Sequence, residues 1–183
     1  SHLSHRHGYT INEIKDFGVK NITKVKMLLS KDTKSYLSKS VGDLTVKLTN
    51  ALEKIKPDLV ICMGDRYELL SLGSVITILN IPLAHISGGE VTLGAIDDQI
   101  RHSMSKLSHF HFVANKKFKN NLINMGEENW RIKITGDPGL ENIHKIKKIN
   151  KSQIEKNLNL KISTNLILVT FHPVTHELNN TKK

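Results

Sequence analysis

The sequence predicts an α/β fold built around a parallel sheet. Short apolar runs of strand length alternate with longer segments whose apolar residues follow a helical period. Glycines and carboxylates collect where the apolar runs end, and no internal repeat is visible. Alternating strands and helices are typical of βαβ units in doubly wound sheets. Because 183 residues are enough for one sizeable core, we expect a Rossmann-like domain.

The first strong elements are a helix over residues 35–56 and the strand that follows it. The helix is predicted by apolar residues in steps of three and four, at Leu37, Val41, Leu44, Leu48, Leu52 and Ile55. Pro57 ends it. The next run, residues 58–63, is continuously apolar after Asp58 and too short for a helix. It therefore predicts a parallel strand buried on both faces.

The same alternation continues along the rest of the chain. Further helices are predicted at 67–79, 97–108, 116–125 and 140–149, and further strands at 81–86, 109–114, 131–135 and 165–171. The opening residues predict a loop where a Rossmann-like domain normally has a strand, so we expect the first strand to be missing. The predicted organisation is a partial first domain over 1–150, a linker over 151–164 and the start of a second domain over 165–183.

The composition argues against a nucleic-acid or membrane protein. The formal net charge is +10, but the lysines are spread along the chain and no aromatic residues alternate with them for base stacking. The longest apolar run, 69–86, is broken by several polar residues and a proline, so no membrane span is predicted. The single cysteine, Cys62, lies in an apolar run, which favours a core position and a reducing, cytoplasmic location.

Chemically useful side chains follow the predicted strands, where ligands bind in open parallel sheets. In chain order they are Gly64, Asp65, Arg66, Ser87, Gly88, Gly89, Glu90, Asn115, Gly136, Asp137 and His172. Carboxylates, glycines and a histidine on one rim suit a phosphorylated or sugar-like ligand and acid/base chemistry.

The charged residues of this rim also have purely structural interpretations. Asp65 could cap the helix that starts two residues later, because aspartate is a favoured N-cap. Asp97 and Asp98 stand at a predicted helix start, where the helix dipole favours them. Arg101 could pair with either of them across one helical turn.

The glycines and histidines have structural alternatives as well. Gly88 and Gly89 could form only a turn. His172 precedes a proline and could belong to a surface loop, whereas His109 and His111 are expected to be structural or exposed.

Taken together, these residues resemble the UDP-N-acetylglucosamine 2-epimerase family, in particular its hydrolysing branch. The matching pieces are SHLS, KPDLVICMGDRYELL, NIPLAHISGGEVTLGAIDDQIRHSMSKLSHFHFVA, RIKITGDPGLENI and TFHPVTHE. They occur in the family order over nearly the whole chain. A full member is about twice this length, so the chain resembles a fragment truncated at both ends.

The resemblance implies a fold and an activity. Family members have two Rossmann-like domains, similar to the GT-B glycosyltransferases, with the nucleotide sugar between them. The chain would hold most of the amino-terminal domain and the opening of the second. The implied reaction converts UDP-N-acetylglucosamine, or a similar 2-acetamido sugar nucleotide, to UDP and an N-acetylmannosamine-type sugar for sialic-acid-type biosynthesis. It requires no cofactor or metal, and the family often forms dimers.

The resemblance also assigns roles to individual residues. It implies catalytic carboxylates at Asp65, Glu90 and Asp97. The implied substrate-binding residues are Arg66, Gly88, Gly89, Asp98, Arg101 and His172. Several members carry a catalytic Glu at the position of Ser87; either Glu90, three residues later, takes part here, or the branch to which this chain belongs divides the roles differently.

Three alternatives remain open from the sequence. The chain by itself could be inactive, or bind a nucleotide sugar only weakly. The activity could be that of the non-hydrolysing branch, although that branch carries different strings in place of GDRYE and GGEV. The basic surface could bind nucleic acid.

Overall fold

The computed structural model describes residues 2–27, 33–163 and 165–170, and it contains seven α-helices and four β-strands in these ranges. The helices are Ile11–Asp16 (α1), Lys34–Ile55 (α2), Glu68–Ile78 (α3), Ile96–Leu107 (α4), Lys116–Asn124 (α5), Pro138–Lys145 (α6) and Lys151–Leu158 (α7). The strands are Val60–Met63 (β1), Leu83–Ile86 (β2), Phe110–Val113 (β3) and Ile132–Ile134 (β4).

The strands form one parallel sheet in the order β1-β2-β3-β4. Each pair of neighbouring strands is connected by one helix, and right-handed crossovers bring α3, α4 and α5 to the same face. The register aligns Cys62 with His85, His85 with His111, and His111 with Ile132. The predicted α/β class and parallel sheet are confirmed, and these strands end at a common carboxyl edge.

The main core lies between the sheet and the helices α2, α3 and α4. Its buried members are Leu52, Cys62, Val75, Ile76, Leu83, Ile100 and Met104. Helix α2 packs on α3, and the buried Ser71 hydroxyl of α3 donates to the Val41 carbonyl of α2 at 2.8 Å. Although α2 has 22 residues, no helix in the described ranges is both long and apolar enough to cross a bilayer.

Strand β1 differs from the prediction of a strand buried on both faces. Cys62 is buried, but Ile61 and Met63 are 61% and 62% exposed. Both point to the sheet face opposite the helices, because successive side chains of a strand alternate in direction. Ala84 of β2 pairs with both Ile61 of β1 and Phe110 of β3, so Phe110 lies on the same face as Ile61, and it is also exposed. At β1, therefore, the helix-covered face is packed at Cys62, whereas the opposite face is exposed at Ile61 and Met63.

The chain ends depart further from the predictions. The loop predicted over residues 1–10 contains a 3-10 turn over His5–His7, and helix α1, which was not predicted, follows it. Helix α6 ends at Lys145 and not at Ile149, and the predicted linker contains α7, capped by the Asn150 side chain. Residues 165–170 form no strand, and Leu166–Val169 are largely exposed. A strand needs a hydrogen-bonded neighbour, and none lies beside this segment in the described part of the chain.

Candidate active site

Two loops start side by side at the carboxyl edge of the sheet. Gly64 follows β1 and donates its N–H to the carbonyl of Ile86, the last residue of β2, at 3.1 Å. Ser87 follows β2 and donates its N–H to the Phe112 carbonyl of β3 at 2.9 Å. The parallel register thus brings the loop that carries Asp65 next to the loop that carries Glu90, as predicted from the strand ends.

Arg101 joins the two loops from helix α4. Its guanidinium forms an ion pair with Asp65 through Nη2 and donates from Nη1 to the Thr92 hydroxyl at 2.8 Å. Arg101 is only 6% exposed, and its Nε has no hydrogen-bond partner among the described residues. A buried N–H without a partner is costly, and because this atom is not exposed, a ligand could reach it only after a local rearrangement.

The observed pairing corrects two structural interpretations. The N-cap position of α3 belongs to Tyr67, so Asp65 does not occupy it. Arg101 pairs with Asp65, 36 residues away, and not with an aspartate one turn earlier in its own helix. The sheet edge holds Asp65 close enough to Arg101 that this tertiary pair replaces the predicted local one.

The two aspartates at the start of α4 have different surroundings. Asp98 Oδ1 accepts the Thr92 N–H at 2.8 Å, and Oδ2 lies 3.6 Å from His102 Nε2. Asp98 therefore fixes the loop before its own helix. Asp97 is half-buried and has no hydrogen bond or ion pair to another described residue, which leaves its carboxylate open to a ligand.

The charges of Arg101, Asp65 and Asp137 act on the Glu90 carboxyl, and we call these four residues the charged cluster. Burial raises the pKa of the Glu90 carboxyl above its usual value; Arg101 opposes the shift, and the carboxylates of Asp137 and Asp65 reinforce it. A carboxyl group with a raised pKa takes up and releases protons closer to neutral pH. Asp137 follows β4, so a third strand end, after those of β1 and β2, contributes to the electrostatics of the site.

Gly88 and Gly89 are explained by packing within the protein. A Cβ atom on Gly89, whose φ is +75°, would lie 2.4 Å from the Phe118 carbonyl oxygen of α5. A Cβ atom on Gly88 would lie 2.9 Å from Ser105 Oγ and 3.1 Å from His85 Nδ1. The two glycines therefore let the loop sit directly on α4 and α5, and their predicted contact with a substrate stays a prediction.

Arg66, a predicted site residue, is not part of the charged cluster. Arg66 is exposed, and its Nε lies 3.3 Å from Glu68 Oε2. It lines a largely apolar groove of about 700 Å³ between the amino-terminal segment, α2, α3 and Met63. That groove does not include the Asp65–Arg101 pair, and we take the charged cluster, with its acid/base groups, as the candidate site. His172 lies outside the described residues.

Sequence reasoning missed the residues that hold the cluster together. The Thr92 hydroxyl accepts a hydrogen bond from Arg101, and the Thr92 N–H donates one to Asp98. No sequence motif identified Thr92. His85 stands in the quoted motif, but it is a strand residue and was not predicted to have a role. Its position just before the Ser87–Glu90 loop is the signal that could have identified it.

Comparisons with known proteins agree with the resemblance. The family described as UDP-N-acetylglucosamine 2-epimerase matches residues 1–183. The chain is 44% identical over 184 residues to a GDP/UDP-N,N'-diacetylbacillosamine 2-epimerase (hydrolyzing) from Campylobacter jejuni, covering 100% of this chain and 47% of the relative. It is 36% identical over 183 residues to a UDP-N,N'-diacetylbacillosamine 2-epimerase (hydrolyzing) from Legionella pneumophila, covering 99% and 48%. The chain thus spans about half the length of these relatives.

Solved structures match the fold. A UDP-GlcNAc 2-epimerase from Neisseria meningitidis bound to UDP-GlcNAc superposes with a TM-score of 0.69 at 24% identity, over 84% of this chain and 43% of that one. A Methanocaldococcus jannaschii UDP-GlcNAc 2-epimerase in complex with UDP-GlcNAc and UDP gives 0.64 at 23% identity, over 80% and 39%. The sheet and its flanking helices therefore have the architecture of these proteins.

Proposed function

The chain belongs to the UDP-N-acetylglucosamine 2-epimerase family, and we propose that the intact protein is a hydrolysing 2-epimerase of a UDP-linked 2-acetamido sugar. The observation that carries the proposal is the ion pair of Asp65 with the buried Arg101 at the carboxyl edge of the sheet, beside the loop that carries Glu90. Both relatives described above are hydrolysing enzymes by name.

The proposed reaction has two steps. A carboxylate takes the proton from C2 of the sugar while the C1–O bond breaks and its electron pair leaves with UDP, giving a 2-acetamidoglucal. Water then adds its oxygen to C1, and a proton is delivered to the opposite face of C2. The net result is hydrolysis with inversion at C2. Because the C2 proton is not acidic, its base must lie within hydrogen-bond reach and be partly desolvated.

Inversion at C2 needs one group that removes a proton and another that returns one from the other face. Asp65 and Glu90 supply two carboxyl groups in different environments, which is how such roles are separated. Arg101 holds Asp65 through their ion pair, and we propose that it also contacts the substrate, as the resemblance implies. Asp97 activates the water from the start of α4. Gly88, Gly89 and Asp98 shape the loop that faces the sugar.

We also propose which UDP-linked sugar is the substrate. The motifs alone favoured UDP-N-acetylglucosamine, which gives an N-acetylmannosamine-type product. The two relatives are named for N,N'-diacetylbacillosamine, so we rank a UDP-linked 2,4-diacetamido sugar ahead of it. We propose further that residues 1–150 form one wall of the substrate cleft, and that a second Rossmann-like domain, beginning near residue 165, forms the other.

The test is to incubate the intact protein with each UDP-sugar in deuterated water. We expect UDP and a free sugar that carries deuterium at C2 with inverted configuration. A free product without deuterium at C2 would exclude the elimination route. A labelled UDP-sugar without net hydrolysis would instead identify a non-hydrolysing epimerase.

Residues 1–183 by themselves are the matched comparison. With one wall of the cleft only, we expect no turnover and a rise in melting temperature with UDP that is smaller than for the intact protein. Turnover by residues 1–183 alone would contradict the proposed need for the second domain.

A further inference from the structure

We propose that His85 is a positioning residue that holds Asp65 in place through the carbonyl group of Gly64. The inference rests on the proposed function, because it concerns the same carboxylate. His85 lies in β2, is completely buried and has no access to the cleft. It therefore acts on the reaction only through the residues that it contacts.

The first contact fixes the direction of one hydrogen bond. His85 Nε2 lies 2.8 Å from the Gly64 carbonyl oxygen. A carbonyl oxygen only accepts hydrogen bonds, so Nε2 carries a proton and donates it. Burial lowers the pKa of His85, against an opposing contribution from the Gly64 hydrogen bond. The imidazole is therefore neutral at neutral pH, with its proton on Nε2.

The second contact links His85 to helix α4. Nδ1 lies 3.2 Å from the Ser105 hydroxyl, which also lies 3.0 Å from the Arg101 carbonyl oxygen one turn earlier. Arg101 pairs with Asp65, and Asp65 follows Gly64 in the chain. Gly64, Asp65, Arg101, Ser105 and His85 thus form a closed ring of contacts, which we call the five-residue ring.

The ring matters because Gly64 is the most adaptable residue beside Asp65. Its φ is +83°, in the left-handed region, and a Cβ atom there would meet no atom within 4 Å. No side chain therefore restricts the backbone at Gly64, and no atom packs against its Cβ position. The hydrogen bond from His85 fixes its carbonyl oxygen. A catalytic group displaced by about 1 Å can lose about 10²-fold in rate.

His111 is a matched control. It lies beside His85 in register, is equally buried and also carries a neutral imidazole, because burial lowers its pKa. Its Nε2 donates to Glu127 and not to the loop that carries Asp65. Substituting either histidine disturbs the same core, but only one substitution opens the five-residue ring.

The experiment compares His85→Asn, His85→Gln and His111→Asn in the intact protein. A glutamine amide can reach the position of Nε2 and donate to Gly64, whereas the shorter asparagine amide cannot. We expect His85→Asn to lower kcat by about 10²-fold with little change in KM. His85→Gln should recover a large part of that loss. His111→Asn should lower the melting temperature and keep kcat near that of the wild type.

A double-mutant cycle tests whether His85 acts through Asp65. In an Asp65→Asn background, His85→Asn should cause no further loss of kcat, because coupled residues are not additive. Full additivity would overturn the proposal. It would also be overturned if His85→Asn kept normal turnover, if His85→Gln recovered nothing, or if His111→Asn lost as much turnover as His85→Asn.

A readout that does not need turnover separates this inference from the proposed function. In the NMR spectrum of the intact protein, the Arg101 guanidinium signals should move in His85→Asn and stay in place in His111→Asn. A wild-type protein without turnover would reject the proposed function, and these signals would still decide the inference. Unchanged Arg101 signals in His85→Asn would overturn it.

Discussion

The two edges of the sheet carry ionic clusters of opposite design. At the amino edge, the buried Glu127 receives Lys106 Nζ at 2.6 Å and His111 Nε2 at 3.1 Å, and Arg131 Nη1 lies 3.6 Å away. At the carboxyl edge, in the described part of the chain, the buried Arg101 pairs with Asp65 and its charge also acts on the Glu90 carboxyl. The amino edge therefore has more donors than carboxylates, and the carboxyl edge has more carboxylates than donors.

The ratio of donors to carboxylates sets the pKa of Glu127 at the amino edge and of Glu90 at the carboxyl edge. Burial alone would raise the pKa of Glu127, but the hydrogen bonds from Lys106 and His111 outweigh it and hold that pKa below its usual value. The pKa of Glu90 is raised by burial, and Arg101 only partly opposes the rise. A carboxylate that is fully paired with donors stays ionised and contributes to stability, whereas one that is only partly paired can exchange a proton. We therefore assign structure to the amino edge and chemistry to the carboxyl edge.

The largest expected effect is on turnover, at the carboxyl edge. Asp65→Asn keeps the shape of the side chain and removes its ability to carry a proton, so kcat of the intact protein should fall by about 10²–10⁴-fold. It also leaves the buried Arg101 without its ion-pair partner, which should cost about 1.5–3 kcal/mol of stability. Steady-state kinetics and thermal melting measure the two losses separately. Normal turnover would shift the catalytic assignment to Glu90 and Asp97.

The matching change at the amino edge should affect stability alone. Glu127→Gln removes the charge that Lys106 and His111 contact, and we expect a loss of about 1.5–3 kcal/mol. For a protein of this size that loss lowers the melting temperature by about 5–10 °C. At a temperature where the variant is folded, kcat should match that of the wild type. A large loss of kcat would break the division between the two edges.

The pH dependence of stability should also reflect the amino edge. The folded-state pKa of His111 is lowered from 6.5, chiefly by burial. The unfolded chain therefore binds more protons below about pH 6.5, and stability falls as the pH decreases from there. Glu127, with its lowered pKa, adds a further loss below about pH 4.5. His85 contributes in the same direction as His111.

One variant isolates the share of His111 in that dependence. His111→Gln keeps a donor toward Glu127 and removes the titrating ring. Between about pH 7 and pH 5, denaturant unfolding should show a slope smaller than that of the wild type by at most about 1.4 kcal/mol per pH unit. An unchanged slope would mean that His111 binds protons equally in the folded and unfolded states.

The smallest expected effect is the difference in pKa between Glu90 and Glu127. Carboxyl carbon shifts followed by NMR through a pH titration should give Glu90 a pKa above 4.5 and Glu127 a pKa below it. For stability the signs are opposite: the contribution of Glu90 is present below its unfolded pKa and is lost as the pH rises through the folded one. A Glu90 pKa at or below that of Glu127 would contradict the interpretation of the two clusters.

Local periodicity predicted most of the regular structure. Helix α2 was predicted within one residue at each end, because its buried stripe recurs at helical spacing. Strands β1 to β4 were each predicted too long at one or both ends, because an apolar run does not show where hydrogen bonding stops. The strand predicted at 165–171 is not observed over 165–170, since a strand also requires a neighbour that no local pattern reveals.

The candidate site was predictable in position but not in pairing. Strand ends placed Asp65 and Glu90 on one rim, because the carboxyl ends of parallel strands share an edge. The ion pair between Asp65 and Arg101 spans 36 residues, and side chains so far apart have no spacing rule. The amino-edge cluster was missed for the same reason, since its members come from α4, β3 and the segment before β4.

The five-residue ring has a consequence for the order in which the chain folds. All five residues lie between Gly64 and Ser105 in the chain. The contact with the largest sequence separation is the ion pair between Asp65 and Arg101, which are 36 residues apart. The entropy lost on closing a loop grows only slowly with its length, and contacts that are close in sequence form faster than distant ones. We therefore expect this segment to organise before the amino-terminal residues and helices α6 and α7 have docked. Substitutions in the ring should then slow refolding, while substitutions in α7 should mainly speed unfolding.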